Sequence, residues 1–405
     1  MPKVLKKQKK VVKKQIKKSV LSATRKKSKK LIKPSKKLKI KKVVKKTTKK
    51  RIKKVVKTLQ LVRFPHNPII EPRHYSWESK ATFNSAAFIE DDKVHLIYRA
   101  IGDDDLSVLG YASSSNGYSL EERPTHAIYQ KYGKFVKSGE PIDYVSGGGW
   151  NGGCEDPRVA LIGNTVYMIY TAFDGWGSLR IALTSIKLED FKKKKWNWET
   201  PIMISPPGEI HKNWVLFPEK INGKFAILHS ISPKILIDYV ENFNEFDGTK
   251  FIKSYYNSKP SWGDSWDNIV RGVGPTPIKT DIGWLVLYHA MDRKDPNRYK
   301  LGAMILDYRD PTKILYRSQG PILEPDEYYE NEGFKGGVIY SCGAVVKPVR
   351  PQDGSGVGGG QRLFVYYGGA DSVVCVASIR LGELINDLTQ NKTVKLKKEK
   401  LLKFK

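Results

Sequence analysis

The stretch FNSAAFIEDDKVHLIYRA (residues 83–100) reads as two strands folded about a turn. Val94, Leu96, Ile97 and Tyr98 form an apolar, β-favouring run, and Asp91-Asp92 supplies a hairpin signal just before it. Four later stretches repeat the plan: EDPRVALIGNTVYMIYTA (155–172), LFPEKINGKFAILHSIS (216–232), GPTPIKTDIGWLVLYHA (274–290) and SCGAVVKP with QRLFVYYGGA (341–370). Each has a turn rich in Gly, Asn or Asp and an apolar strand ending on a ring. The anchors Tyr98, Tyr170, His229, Tyr288 and Tyr366 fall 72, 59, 59 and 78 residues apart.

A further strand follows each hairpin: VLGYASSS, SLRIALTSI, KILIDYV, YKLGAMILDY and SVVCVASIRL. Units of three or four short antiparallel strands cannot bury both faces alone, so neighbours must stack. Five such units predict an all-β chain arranged as a five-bladed β-propeller, with one short helix near residues 381–388. The strand ends of several units then converge on one site.

Outward from the repeats, composition separates three regions. Residues 1–57 hold 28 Lys or Arg and no acidic residue, and the first acid is Glu71. This low-complexity tail cannot bury enough apolar surface to offset its ordering entropy, so disorder is expected. It reads either as a solubilising extension or as an anchor for a polyanion: nucleic acid, anionic polysaccharide or a membrane surface. Residues 392–405 form a second basic tail with seven Lys. Residues 58–391, the catalytic domain in this reading, are near neutral despite the net +31 of the whole chain.

No run is long enough for a membrane span, and no secretory leader is apparent. The three cysteines, Cys154, Cys342 and Cys375, match no zinc spacing and imply no disulfide framework. The expected location is therefore cytoplasmic, with no metal or cofactor.

Polar residues beside the repeated hairpins are the site candidates: Asn84 and Arg99; Glu155, Asp156 and Arg158; Lys212, Asn213 and Glu219; Arg271, His289 and Tyr299; Glu332 and Asp371. Glu155-Asp156-Pro157-Arg158 stands out, since the other units open on small or neutral residues and a Gly-rich loop (147–153) precedes it. Trp150, Trp176, Trp214 and Trp266 offer rings for sugar stacking or for core packing.

The ordered set FN-x-A…YRA, GCEDPRV, NWVLFPEK with ILH, GP-x-P-I…GWL-x-x-YH and CGAVV…YYGGAD resembles glycoside hydrolase family 130 over roughly residues 65–390. The resemblance implies a five-bladed propeller acting on β-mannosides, as an inverting phosphorylase or an inverting hydrolase. It implies Asp156 as general acid, with Asn84, Ser85, Arg99 and Asp371 around the mannosyl ring, beside Glu155 and Arg158. It implies His289, Tyr299 and Asn213 on phosphate, with Lys212 and Arg271 as further cationic donors. The implied partners are a β-linked oligosaccharide or glycoconjugate and inorganic phosphate as co-substrate; association into a homo-oligomer is left open.

The sequence departs from the phosphorylase pattern at three places. Lys212 stands where an Arg is usual, Ser230 follows His229 in place of Arg, and Val270 stands in place of Lys, with Arg271 beside it. Arg grips phosphate bidentately, whereas Lys offers a point charge. Three readings therefore stay open. A phosphorylase needs one carboxyl group and a cationic pocket. A hydrolase needs a second carboxylate to activate water, from Glu219, Glu332 or Asp371. A non-catalytic sugar-binding propeller needs neither.

Overall fold

A computed structural model of the chain describes residues 59–130, 153–173, 179–254, 264–349 and 360–390, together with the backbone of two short strands at 134–135 and 142–143. The chain divides into two units, Met1–Lys54 and Val55–Lys405, and all described residues lie in the second. The expectations for both basic tails, the Gly-rich loop as far as residue 152, Trp150 and Trp176 lie outside the described residues.

The described chain is mostly strand. After β1 (Val62–Arg63), the first unit is β2 (Ala81–Glu90), β3 (Lys93–Ile101) and β4 (Ser107–Ser114). A small pair, β5 (Lys134–Phe135) and β6 (Ile142–Asp143), precedes the second unit of β7 (Gly153–Ile162), β8 (Thr165–Phe173), β9 (Leu179–Lys187) and β10 (Ile202–Met203). The third unit is β11 (Val215–Leu216), β12 (Phe225–Ser230) and β13 (Leu236–Val240). The fourth runs from β14 (Ile269–Val273) and β15 (Ile278–Thr280) to β16 (Gly283–Asp292), β17 (Asp295–Leu306) and β18 (Ile314–Arg317). The fifth is β19 (Ile339–Val349), β20 (Gly360–Gly369) and β21 (Val373–Arg380). The described residues also form three short α-helices, α1 (Leu188–Lys192), α2 (Tyr328–Asn331) and α3 (Leu381–Gln390), and a single 3-10 turn (Phe243–Glu245); α3 falls where the sequence predicts its helix.

Within each unit the strands pair antiparallel with their neighbours in sequence, except that β14 and β15 both pair with β16, and among the described residues no sheet closes on itself. Turn chemistry sets the hairpins. Asp91 and Asp92 both have positive φ, as do Asn222 and Gly223, the conformation a tight primed turn requires. Units one and two join through one parallel pair, Ser107 with Gly153. A Cβ on Gly153 would lie 2.2 Å from the Ser107 carbonyl oxygen, so only glycine permits that approach.

Each middle strand is apolar on both faces, and the period-two alternation divides it between two cores. On β3, Leu96, Tyr98 and Ala100 pack against unit five, while Ile97 packs against unit two. On β16, Leu285 and Leu287 face unit five, and Trp284, Val286 and Tyr288 face unit three. On β20, Leu363, Val365 and Tyr367 face unit four, and Phe364 and Tyr366 face unit one. On β12, Phe225 and Ile227 pack with unit two. The stacking that the small units require is thus present between each successive pair, and between the fifth and the first. The anchors Tyr98, Tyr170, His229, Tyr288 and Tyr366 all sit buried on these middle strands.

The last unit takes its outer strand from the other end of the chain, for β1 pairs with β21. Arg63 on β1 donates to the buried Glu330 through Nε (2.7 Å) and Nη2 (2.8 Å), and Tyr367 donates to the same carboxylate at 2.8 Å. Similar knots of Tyr, carboxylate and Arg occur at Tyr98–Glu78–Arg123 and Tyr288–Asp267–Arg317.

Candidate active site

In four of the five units the pairing of the first strand slips at one place. The β2–β3 register slips between Phe83 and Ala86, β7–β8 between Glu155 and Arg158, β14–β16 between Val270 and Gly272, and β19–β20 between Ser341 and Gly343. At a bulge the alternation breaks and a side chain is re-aimed. The residues there take left-handed backbone: Asn84 (φ 50°), Asp156 (φ 51°) and Gly272 (φ 133°), with Asn213 (φ 66°) just ahead of β11. Asn, Asp and Gly are the residues that tolerate this conformation. The bulges turn Asn84 and Asp156 toward each other across two units, and Asn84 Nδ2 donates to Asp156 Oδ1 at 2.9 Å. Gly368 makes room, because a Cβ there would come within 2.2 Å of Asn84 Oδ1.

These side chains open on a cavity of about 460 Å³. Four cations (Arg99, Lys212, Arg271, Lys335) and three carboxylates (Glu155, Asp156, Asp371) line it, leaving one net positive charge. Arg99 spans two of the acids, donating from Nη2 to Glu155 Oε1 (3.0 Å) and from Nη1 to Asp156 Oδ1 (3.2 Å). Its Nε is held by Ser107 Oγ at 2.9 Å. Lys212 Nζ lies 3.4 Å from Glu155 Oε2.

Arg158 runs beneath the cavity as a connector. It donates to the carbonyls of Gly274 (2.9 Å) and Asp156 (2.8 Å), to Asn213 Oδ1 (3.0 Å) and to the Tyr340 hydroxyl (3.2 Å), tying four units together. Tyr340 also donates to Asn213 Oδ1, and its ring lies flat on His289, 4.1 Å between centroids.

Burial alone would raise the Asp156 carboxyl. Arg99, Lys212 and Arg158 beside it, with the Asn84 amide, outweigh burial and hold it below the usual carboxylate range. Asp371, delivered by the β20–β21 turn where Ala370 and Asp371 both have positive φ, behaves oppositely. Burial and the neighbouring Asp156 push it up to about 6 against the pull of Lys335, Arg99 and Lys212. Burial, with Arg158 next, pushes His289 down to about 3, so its ring is neutral. Ser341 N–H donates to His289 Nε2 at 2.8 Å, which puts the ring proton on Nδ1.

The cavity therefore pairs a buried acid with a surplus of cations. The sequence model of glycoside hydrolase family 130, described as beta-1,4-mannooligosaccharide phosphorylase, matches residues 45–390. The chain belongs to glycoside hydrolase family 130. It is 35% identical over 340 residues to a 1,2-beta-oligomannan phosphorylase of Thermoanaerobacter sp. (strain X514), covering 80% of this chain and 99% of that protein. A beta-1,2-mannobiose phosphorylase of the same organism is 32% identical over 334 residues, covering 79% and 97%. The solved beta-1,2-mannobiose phosphorylase of Listeria innocua shares the fold, with a TM-score of 0.60 at 24% identity over 82% of this chain and all of that one.

In this family-130 chain the structure gathers nine of the residues predicted for the site onto the cavity wall: Asn84, Arg99, Glu155, Asp156, Lys212, Asn213, Arg271, Tyr299 and Asp371. Ser85, Arg158 and His289 are buried behind them. Asn84 Oδ1, Ser85 Oγ and His289 Nδ1 are buried polar atoms with no hydrogen-bond partner among the described residues.

Two predicted bases fall elsewhere. Glu219 is half-exposed and spends both oxygens on Lys279, at 2.7 and 2.9 Å, because the FPEK segment runs out of the core into a surface turn. Glu332 is exposed past the end of α2, where its residue caps the helix, and does not line the cavity. Trp214 and Trp266 pack in the apolar cores rather than in the cavity.

Sequence reasoning missed Phe173, Leu179, Phe334, Lys335, Val338 and Tyr340 on the cavity wall. The position of Tyr340, immediately before the Ser-Cys-Gly-Ala motif, was a usable signal. The loop carrying Phe334 and Lys335 lies between repeats and offered none.

Proposed function

We propose that this chain is an inverting β-mannoside phosphorylase built as a five-bladed propeller. The ring is supported by the pairwise stacking of all five units, first on last included, and by the pairing of β1 with β21. Phosphorolysis is carried by one observation: a buried carboxyl group, Asp156, shares its cavity with a surplus of cations. The names of the relatives at 35% and 32% identity support β-mannosides, and make β-1,2-linked mannobiose the first substrate to assay.

In this reading the mannosyl ring sits against Asn84, Ser85, Arg99 and Asp371. Asp156 gives its proton to the glycosidic oxygen as the C1–O bond breaks. A phosphate oxygen attacks C1 from the opposite face, so a β-mannoside yields α-mannose 1-phosphate and a sugar with a free hydroxyl. Without substrate, the cations keep Asp156 ionised. A phosphate dianion set against Lys212 and Arg271 offsets those charges, raises the Asp156 pKa and favours the protonated acid. Neutral His289 is able to contribute one hydrogen bond through Nδ1–H, and no charge.

The hydrolase reading keeps one base candidate from the sequence, Asp371, which reaches the cavity with a pKa pushed up to about 6. Incubation of the protein with a β-mannosyl disaccharide separates the two. Mannose 1-phosphate appearing only with phosphate supports the first, and free mannose released at equal rate without phosphate sinks it. We also propose that residues 1–57 act as a polyanion-binding arm and that the enzyme works in the cytoplasm; the charge of the tail and the cysteine content support these readings.

A further inference from the structure

Lys335 lies on the loop between α2 and β19, outside every repeated motif. Its backbone is closely held. Lys335 N–H donates to the Ala370 carbonyl (2.9 Å), Phe334 N–H to Ser372 Oγ (3.0 Å), and Gly337 N–H to the Glu330 carbonyl (2.9 Å). Tyr299 N–H donates in turn to Gly337 at 2.9 Å, which joins the loop to the start of β17. Gly336 is needed for this path, since a Cβ there would fall 2.3 Å from the Asn331 carbonyl oxygen.

The loop brings Lys335 Nζ to 4.7 Å from the centroid of the Tyr299 ring. The Arg271 guanidinium lies 5.6 Å from the same ring. All three side chains line the cavity. The other two cations there, Arg99 and Lys212, are drawn to Glu155 and Asp156. No carboxylate of the described residues lies within ion-pair distance of Lys335, whose charge favours the ionised form of Asp371. An ammonium such as that of Lys335, resting on an aromatic face, keeps its donors available to an anion.

We propose that Lys335 is a phosphate-binding residue, and that Lys335 and Arg271, set about the Tyr299 ring, grip the phosphoryl oxygens of inorganic phosphate and of the mannosyl phosphate product. The proposal rests on the phosphorylase reading. It assigns to a loop lysine the cationic help that Ser230 and Val270 do not give. A dianion needs more than one cation in a partly desolvated site, and Lys212 is shared with Glu155.

The test is steady-state kinetics of Lys335→Met and Lys335→Arg, each first shown to melt like the unmodified protein. With β-1,2-mannobiose saturating, the phosphate KM of Lys335→Met is expected to rise about 10- to 100-fold, the loss of one charge-assisted contact. The KM for mannose 1-phosphate in the synthetic direction should rise with it. The KM for mannobiose at saturating phosphate should stay in place, and Lys335→Arg should restore most of the loss. An unchanged phosphate KM overturns the assignment, and so does a rise confined to the mannobiose KM, which would place Lys335 on the sugar. Failure of the phosphorylase reading itself would be visible separately, as phosphate-independent release of mannose by the unmodified enzyme.

Discussion

Asn84 and Asp156, 72 residues apart, occupy equivalent bulges of neighbouring units and meet through a 2.9 Å hydrogen bond from amide to carboxylate. The contact needs left-handed backbone at both residues. It places the proposed acid where Arg99 and Lys212 control its charge.

Asp156→Asn removes the proton without removing the side chain's shape. On β-1,2-mannobiose, kcat should fall by about 10²- to 10⁴-fold, the usual worth of a positioned acid. A mannoside with a good leaving group, which needs no protonation, should lose far less. Equal losses on both substrates would show that Asp156 does not act as the acid.

Asp371 carries a pH signature. Its folded pKa, raised to about 6 from the ordinary 3.8, means the folded protein holds that proton more tightly than the unfolded chain. The resulting stabilisation is fully present below the ordinary value and is lost as pH rises through about 6. Asp371→Asn should therefore gain stability relative to the unmodified protein between pH 4 and pH 7, with the gap in Tm widening over that range. Asp371 is only half-buried, so the gain should stay below the ~3 kcal/mol that the whole shift would carry. A gap in Tm that does not change with pH would contradict this.

Arg158→Met should be costly to the fold. It takes from the Tyr340 hydroxyl oxygen and from the carbonyls of Gly274 and Asp156 the donor that Arg158 supplies, and leaves Asn213 Oδ1 with only the Tyr340 hydroxyl of its two donors. A loss of about 3 kcal/mol or more by denaturant unfolding is expected. Arg158→Lys should not rescue it, since an ammonium lacks the planar spread of donors.

Glu219→Gln and Glu332→Gln should each leave cleavage within about twofold of the unmodified rate, the behaviour of surface substitutions remote from such features. Glu219→Gln removes only an exposed ion pair with Lys279. A large loss of activity in either variant would return that residue to the site.

Deletion of residues 1–57 should abolish retention on heparin or nucleic acid, while phosphorolysis continues at its former rate. In the intact chain that retention should fall steeply with salt, because each neutralised charge releases a counterion. Retention that survives the deletion would show that the tail is not the anchor.

The sequence by itself determined the five hairpin units. Turn residues and two-sided apolar strands are local properties, and strands such as β16, apolar on both faces, have no stable use except between two neighbours. It also located the Glu155–Arg158 segment, where charge interrupts the repeat. Only the tertiary structure decided which polar side chains meet. Side-chain direction at a bulge depends on register against partner strands, and the register of one unit is fixed by packing against the next. Glu219, inside the third repeat, and Glu332, ahead of the fifth, thus leave the site, the first at a surface turn and the second past a helix end. Lys335 and Tyr340 enter it through contacts with residues on other units, Tyr299 and Asn213, that no spacing along the chain encodes.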